Sequence, residues 1–571
     1  MAQSLTHDVL ILGAGLAGLR AAVEICSRLD GRVDVGIVSK VQLMRAHSVC
    51  AEGGTAAALR TEEGDSIDLH AWDTVKGSDF LADQDVVRRF AATIPDEIQR
   101  LDHWGIPWTR DEHGRIAQRP FGGHSFPRAT LAADKTGFFE MQTLYDQLLR
   151  YRSFTRYDEF FVTDLLVEGG RFAGLLGIHA PSGETVVLRG KALLIATGGG
   201  GCLYGFTTYS ETVTGDGMAM AYRAGLPLED MEFLQFHPTG LVPNGILMTE
   251  ACRGEGGYLR NASGERFMER HAPSKLELAP RDMVSRAEQT EIEAGRGSIG
   301  SDGLPTINLD LTHLGAERIN SRLPLIREVC IKFIGVDPIT EMIPIRPVAH
   351  YSMGGIETDI DGLTRIPGVW AAGEAAAVSL HGANRLGSNS TGECLVWGGI
   401  TGAEIVKALP KLGAPAPVPE RLVAERQTHV KDLLARQGSE NIYALRRELR
   451  AMMDREVGVF RTGPELERGL KVVRDIRERS KKAPVADKGA LYNSNLFHAI
   501  ELDNLLDLAE VTVVGAIARE ESRGAHSRRD FPTRDDEKWL KHTLAWYTGG
   551  APRLDYKSVV IDQWKPVERK Y

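Results

Sequence analysis

The run from His7 to Gly18, HDVLILGAGLAG, constrains this chain more than any other stretch. His7 to Leu12 is nearly continuous in apolar residues, the pattern of a parallel strand buried on both faces. It breaks into Gly13-Ala14-Gly15-Leu16-Ala17-Gly18 and then an Ala/Leu-rich helical segment. In that setting G-x-G-x-x-G makes a tight turn, so that backbone amides and a helix N-terminus can meet a pyrophosphate. A second strand is expected at Val33 to Val38. It ends in Ser39-Lys40, where an NAD site would place a ribose-binding acid, and that points away from NAD. Two later segments are predicted to return to the same sheet. Lys191 to Gly201 (KALLIATGGGG) is a strand breaking into a glycine turn, and Gly368 to Glu374 (GVWAAGE) is a strand ending in a carboxylate suited to sugar or ribityl hydroxyls. The fold class expected is an α/β FAD-binding, Rossmann-like domain split by an insertion.

At 571 residues the chain exceeds one core. The expected division is 1–236 for the first part of the FAD domain, 237–349 for an inserted α+β capping domain that includes the strand-like Ile307 to Leu311, and 350–407 for the second FAD part. Pro410 to Pro419 (PKLGAPAPVP) is a linker by composition. Beyond it 420–530 is expected to be helical, with periodic segments at Leu445 to Met453, Leu466 to Ile476 and an apolar stripe over Asn495 to Arg519; 531–571 makes a small C-terminal domain. A formal net charge of −9 with no basic block excludes nucleic acid as a partner. The six cysteines include no C-x-x-C pair, so neither an iron–sulfur cluster nor any metal site is expected, and they read as reduced thiols. The first residues, MAQSLTHDVL, carry no basic secretory segment, and the uncharged run Ala192 to Ser210 is broken by five glycines. Membrane association is therefore expected to go through a partner.

Met44 to Leu59 (MRAHSVCAEGGTAAAL) carries His47 in a loop of small residues against which a flat ring system can lie. A histidine there can join a flavin through a ring nitrogen, and the amides of Gly53 and Gly54 can approach the flavin's electron-accepting edge. A second group of reactive side chains sits among glycine, serine and asparagine: His237 in FHPTG, Thr249, Glu250 and Arg253 in MTEACRGEG, Arg281 in LAPRD, His350 in AHYSMGG and Arg385 in HGANRLGSNS. Structural arginines usually stand among acids on helix faces, and most of these do not.

Together RAHSVCAEGG, FHPTG, TEACRGEGG, HYSMGG, GANRLGSNS and ESRGAHSRRDFPTRDD closely resemble the flavoprotein subunit of succinate dehydrogenase and fumarate reductase, nearly end to end. Two departures stand out. Ala46 replaces the Ser or Thr before the flavin-linking histidine, and Thr391-Gly392-Glu393 follows GSNS where the family has an apolar and a small residue before its acid. The resemblance implies FAD bound covalently through His47, with cofactor contacts from Gly13, Ala14, Gly15, Gly18, Ser39, Lys40, Ser48, Gly53, Gly54, Asp216, Glu374, Arg385, Leu386 and Ser390. It implies a dicarboxylate held by Phe121, His237, Thr249, His350 and Arg385, and Arg281 as proton donor and acceptor, recharged through Glu250 and Arg253. A four-carbon dianion needs a clamp at each end, and positive groups there also stabilise charge that builds up during hydride transfer.

The resemblance further implies an iron–sulfur subunit, a quinone-binding membrane anchor and a peripheral position on the cytoplasmic side of the inner membrane. Glu52, in the place where fumarate reductases tend to have Glu and succinate dehydrogenases Gln, leans the reading to fumarate reduction, as do GILMTEACRGEGG and HLGAERINSRLPLIREVC; ERFMERHAP leans the other way. Two alternatives differ in kind: an L-aspartate oxidase-like enzyme, which would hold FAD without a bond, and a non-catalytic flavin electron carrier, which would need no convergent His/Arg set.

Overall fold

A computed structural model describes residues 3–29 and 31–570. Its central sheet is parallel throughout, in the order Val369–Ala371, Ala192–Ile195, Val9–Leu12, Val35–Val38, Phe154–Tyr157. The first four strands are fully buried, as continuous apolar runs require. The strand expected from His7 begins at Val9; His7 precedes it with Nε2 2.7 Å from Tyr157 Oη. The helix Leu16–Leu29 leaves the glycine turn and packs against the long helix Asn389–Ala408.

A second antiparallel sheet runs Leu234–Leu241, Ile343–Ser352, Pro305–Asp310, Tyr258–Arg260. It has its own apolar core, in which Leu259, Ile307, Leu309, Ile343 and Ile345 meet Val284 of the helix Arg281–Glu293. The chain enters and leaves this segment on paired strands, with Phe236 opposite Ala349 and His237 opposite Val348. That register brings His237 next to His350, which follows Ala349.

Four helices follow, Glu420–Ala435, Ile442–Glu456, Gly463–Ser480 and Ser494–Ala518. The last differs from expectation: it has no single apolar stripe but is buried on nearly every face. Three of its four acids are paired with cations rather than solvated. Glu501 pairs with Lys40 and Arg446, Asp507 with Arg223 and Arg477, and Glu510 with Arg474 and Arg477. A helix can be sequestered in this way only where other elements bring cations to it.

The C-terminal strands Lys541–Trp546 and Arg553–Ser558 extend a sheet formed with Leu228–Glu229, Gly355–Glu357 and Ala376–Ala377. His542 anchors them. It is fully buried, with Nδ1 2.6 Å from Asp230 and Nε2 3.2 Å from Asp83. Burial alone would lower its pKa, but Asp230 and Glu229 outweigh that and lift it to about 10, so the imidazole is held as a cation. Among the described residues, no helix is long and apolar enough to cross a membrane.

Candidate active site

The carboxyl ends of the central strands open into a cavity of about 810 Å³. Gly13, Ala14 and Gly15 line it at the start of the helix Leu16–Leu29, joined by Ser39, Lys40, His47, Ser48, Asp216, Glu374 and Ser390. Ser48 Oγ accepts from Leu16 N at 3.3 Å and so ties the His47 turn to the glycine loop. With the glycine turn and a helix N-terminus in its wall, the cavity fits a dinucleotide. Glu374 accepts from Ser352 N at 2.9 Å and from Tyr209 Oη; burial raises its pKa to about 7 against those bonds.

His47 stacks on Tyr209 with ring centroids 5.2 Å apart, and its Nδ1 lies 3.5 Å from Ser210 N. Burial depresses its pKa to about 4, so the imidazole is neutral and has a lone pair to offer. Lys40 is not an uncommitted cation, as a phosphate-seeking lysine would be. It binds Asp216 at 2.6 Å, Glu501 at 2.7 Å and Thr214 at 2.8 Å.

Five expected cofactor contacts are not among the lining residues: Gly18, Gly53, Gly54, Arg385 and Leu386. A Cβ on Gly18 would lie 2.0 Å from Gly13 O, so this glycine permits the helix to pack on its own turn. Gly54, at φ +102°, would bring a Cβ within 2.2 Å of Thr130 O, which only glycine avoids. Gly53 faces the Phe121 ring, Leu386 packs over Gly77 and Gly123, and Arg385 belongs to a second cluster.

That cluster lies between the central sheet and the cap. Arg281, first residue of its helix, gives Nε–H to Glu250 Oε2 at 2.7 Å and Nη1–H to Gln235 Oε1 at 3.0 Å. Arg385 Nη2 donates to the same Gln235 oxygen at 3.1 Å, so one amide aligns both guanidinium groups. Arg253 Nη2 stands 3.5 Å from Glu250 Oε2, which makes Arg281, Glu250 and Arg253 continuous. The His237 and His350 rings are 4.9 Å apart, and His350 also lines the cavity. Thr249 and Phe121 are buried, and a Cβ at Gly387 would meet the Phe121 ring, Glu250 and Arg281 together.

Burial sets the charges here. It lowers Arg281 to about 9, with Glu250 opposing and Arg385 assisting. Glu250 stays ionised because Arg281 and Arg253 outweigh its burial. His237 and His350 were expected to clamp as cations. Burial first, and then the arginines, push both well below the ordinary histidine range, so they are neutral hydrogen-bonding groups. Arg385 Nε and His237 Nε2 are buried with no partner, as donors awaiting an acceptor would be.

Several residues carry roles no motif signalled. Gln235 and Tyr209 are the structural partners just described. Arg119 donates to Glu52 O and Gly53 O at 3.1 Å, leaves Nε and Nη1 unpaired, and is lowered by burial to about 10. Glu52, which the sequence had already singled out, lines the cavity with Oε2 unpaired; burial and Asp134 push its carboxyl well above the ordinary range, Arg119 opposing. Glu288, about two turns into the Arg281 helix, is buried with neither oxygen bonded and is raised by burial, Arg253 opposing.

Residues 8–391 match the FAD binding domain family and 446–571 the fumarate reductase flavoprotein C-terminal family. The chain is 45% identical to a fumarate reductase flavoprotein subunit of Mycobacterium tuberculosis, over 99% of each chain. It is 43% identical to a succinate dehydrogenase flavoprotein subunit of Rickettsia bellii, over 97% of this chain and 95% of that one. Among solved structures, it superposes on quinol fumarate reductase of E. coli with a TM-score of 0.96 at 41% identity, over 99% of each.

Proposed function

This chain belongs to the family of fumarate reductase and succinate dehydrogenase flavoprotein subunits, an oxidoreductase that binds FAD and interconverts fumarate and succinate, and from that premise we propose how its residues do so. FAD, when bound, supplies the site that gives or accepts a hydride. His47 would carry it covalently: Nδ1 faces Ser210 N, which leaves Nε2 available for the bond. Gly13, Ala14, Gly15, Ser39, Ser48 and Ser390 line the cavity that would hold it, and Glu374 would bind its hydroxyls.

The dicarboxylate lies between the two clusters. One observation carries this reading above the rest: Arg385 Nε and His237 Nε2 are buried donors with nothing to bond. Each such orphan costs about 1–3 kcal/mol, a penalty that an incoming carboxylate removes. Arg385 holds one end, His237, His350 and Thr249 the other, and Phe121 excludes water. Arg281 delivers a proton to the substrate carbon and recovers it from Glu250 and Arg253, with a pKa low enough for a guanidinium to take part. An aspartate oxidase-like site or a bare electron carrier accounts less well for a histidine stacked at the cavity wall together with this clamp.

Electrons pass to or from an iron–sulfur subunit and a quinone-binding anchor, because the six cysteines are unpaired and scattered and no described helix spans a membrane. Reduced thiols suit the cytoplasmic face of the inner membrane. Chains co-purifying from membranes should include an iron–sulfur protein, and this chain alone should reduce fumarate with a small dye donor but not with quinol. Full quinol activity from the isolated chain would remove the need for partners.

The physiological direction we propose is fumarate reduction, and Glu52 supplies its test. Its raised pKa means that the acid is neutral at low pH, where Gln is its near-isostere, and charged only as pH rises. A carboxylate near the ring lowers the flavin potential and favours fumarate reduction. In the purified complex, fumarate reduction should outpace succinate oxidation, and Glu52→Gln should shift the ratio towards oxidation more strongly at alkaline than at acid pH. A ratio dominated by oxidation and untouched by the substitution at any pH would reverse the assignment.

A further inference from the structure

Behind the cavity wall lies a buried acid that the reaction above does not use. Glu140, on the helix Thr136–Leu148, is fully buried. Its Oε1 accepts from Thr55 Oγ1 at 2.5 Å, Thr55 Oγ1 is 2.7 Å from Thr391 Oγ1, and Thr391 lines the cavity. Its Oε2 has no partner. The neighbouring elements carry Arg20, Glu24, Glu97 and Arg100, paired among themselves, and Glu393, paired with His381. They also carry Arg45, His47 and Cys50 on the 43–50 turns and the Cys394 thiol, which Glu140 helps to raise. None forms an ion pair with Glu140, so burial lifts its carboxyl to about 8 with only the Thr55 hydroxyl opposing.

We propose that Glu140 is a positioning residue for the cofactor: through Thr55 its protonation decides whether Thr391 presents a hydrogen-bond acceptor or a donor to the cavity. This rests on reading that cavity as the FAD site. A hydroxyl has one proton to give. With Glu140 ionised, Thr55 gives its proton to Oε1 and accepts from Thr391, which is left with lone pairs towards the cavity. With Glu140 protonated and donating, both hydroxyls turn round. Thr391 then points its O–H at the cavity, since its other acceptor, Gly54 O, is a distant 3.5 Å. The change is one proton gained from solvent and two hydroxyl rotations, with no other bond made or broken. Such chains polarise cooperatively in a dry interior. The Thr391 departure from the family pattern is thereby explained, because an apolar residue there would sever the chain.

A donor at the wall favours the electron-rich reduced cofactor and an acceptor disfavours it. Flavin reduction should therefore be coupled to the Glu140 proton. The test is a spectroelectrochemical titration of the holo-complex from about pH 6 to about pH 10. Wild type should show a break in flavin potential against pH near 8. Glu140→Gln and Thr391→Val should lose the break and Thr391→Ser keep it. A wild type without the break, or either blocking variant with it, overturns the proposal; persistence in Thr391→Val alone would mean that Glu140 acts through its field and not through the hydroxyls. Should a variant lose its flavin, infrared redox-difference spectra of wild type decide. A deuterium-sensitive carboxylic C=O band that responds to flavin reduction supports the coupling, and no such band refutes it. A purified complex lacking flavin absorbance would instead fail the underlying FAD reading.

Discussion

Arg281→Lys is expected to lower turnover in both directions by about 10²–10⁴-fold, the usual worth of a positioned acid or base. FAD attachment and dicarboxylate binding should remain nearly intact. Arg281 is aimed by two bonds from one planar fork, Nε to Glu250 and Nη1 to Gln235, and an ammonium is a point charge that cannot hold both directions. Glu250 would then face a buried cation in the wrong place and the relay through Arg253 would be interrupted. The pH profile offers a second reading of the same group. The free-enzyme pKa appears in kcat/KM. For Arg281 at about 9, fumarate reduction, which needs the protonated form, should fall as pH rises through that value, while succinate oxidation, which needs a base, should rise. Unchanged kcat with a raised KM in the lysine variant would make Arg281 a binding group only.

His47→Ser is expected to abolish covalent flavin altogether. Acid-precipitated wild-type protein should keep its yellow fluorescence, and the variant should release FAD into the supernatant while still binding it when native. The motive is geometric: a neutral imidazole, stacked on Tyr209 at 5.2 Å, faces the cavity from a turn that Ser48 ties to the glycine loop. The remaining lining residues are untouched, so affinity should survive. Because a covalent link of this kind raises flavin potential, the variant should lose succinate oxidation more than fumarate reduction. Free FAD from the wild type would end the assignment.

What could be read from the chain alone was whatever is written locally. Strand, glycine turn and helix lie within 23 residues, from His7 to Leu29. Pairings set by tertiary structure were invisible. Lys40 meets Glu501 across 461 positions, and Thr55 meets Thr391 across 336, so neither lysine charge nor threonine hydroxyl could be assigned a partner in advance. Burial was equally hidden. His237 and His350 were expected as cations because free histidine titrates near neutrality; complete enclosure beside two arginines reverses that. The apolar stripe expected on the last long helix failed for the same reason, since periodicity cannot show which acids will find arginines.

Asp282, the residue after Arg281, is held by both Nη atoms of Arg569 at 2.9 and 3.0 Å, and Arg569 also reaches Asp79 at 3.2 Å. The partner is thus encoded 287 positions later. At a synthesis rate of about 5–20 residues per second, the ribosome delivers it about 15–60 s after Asp282 itself. In the folded protein Asp282 has two cationic partners, Arg569 and the nearby Arg286, and until Arg569 is made only the second is available. The start of the Arg281–Glu293 helix is therefore fastened from far along the chain: however early the cap's own core forms, this clasp closes only after residue 569 has been made.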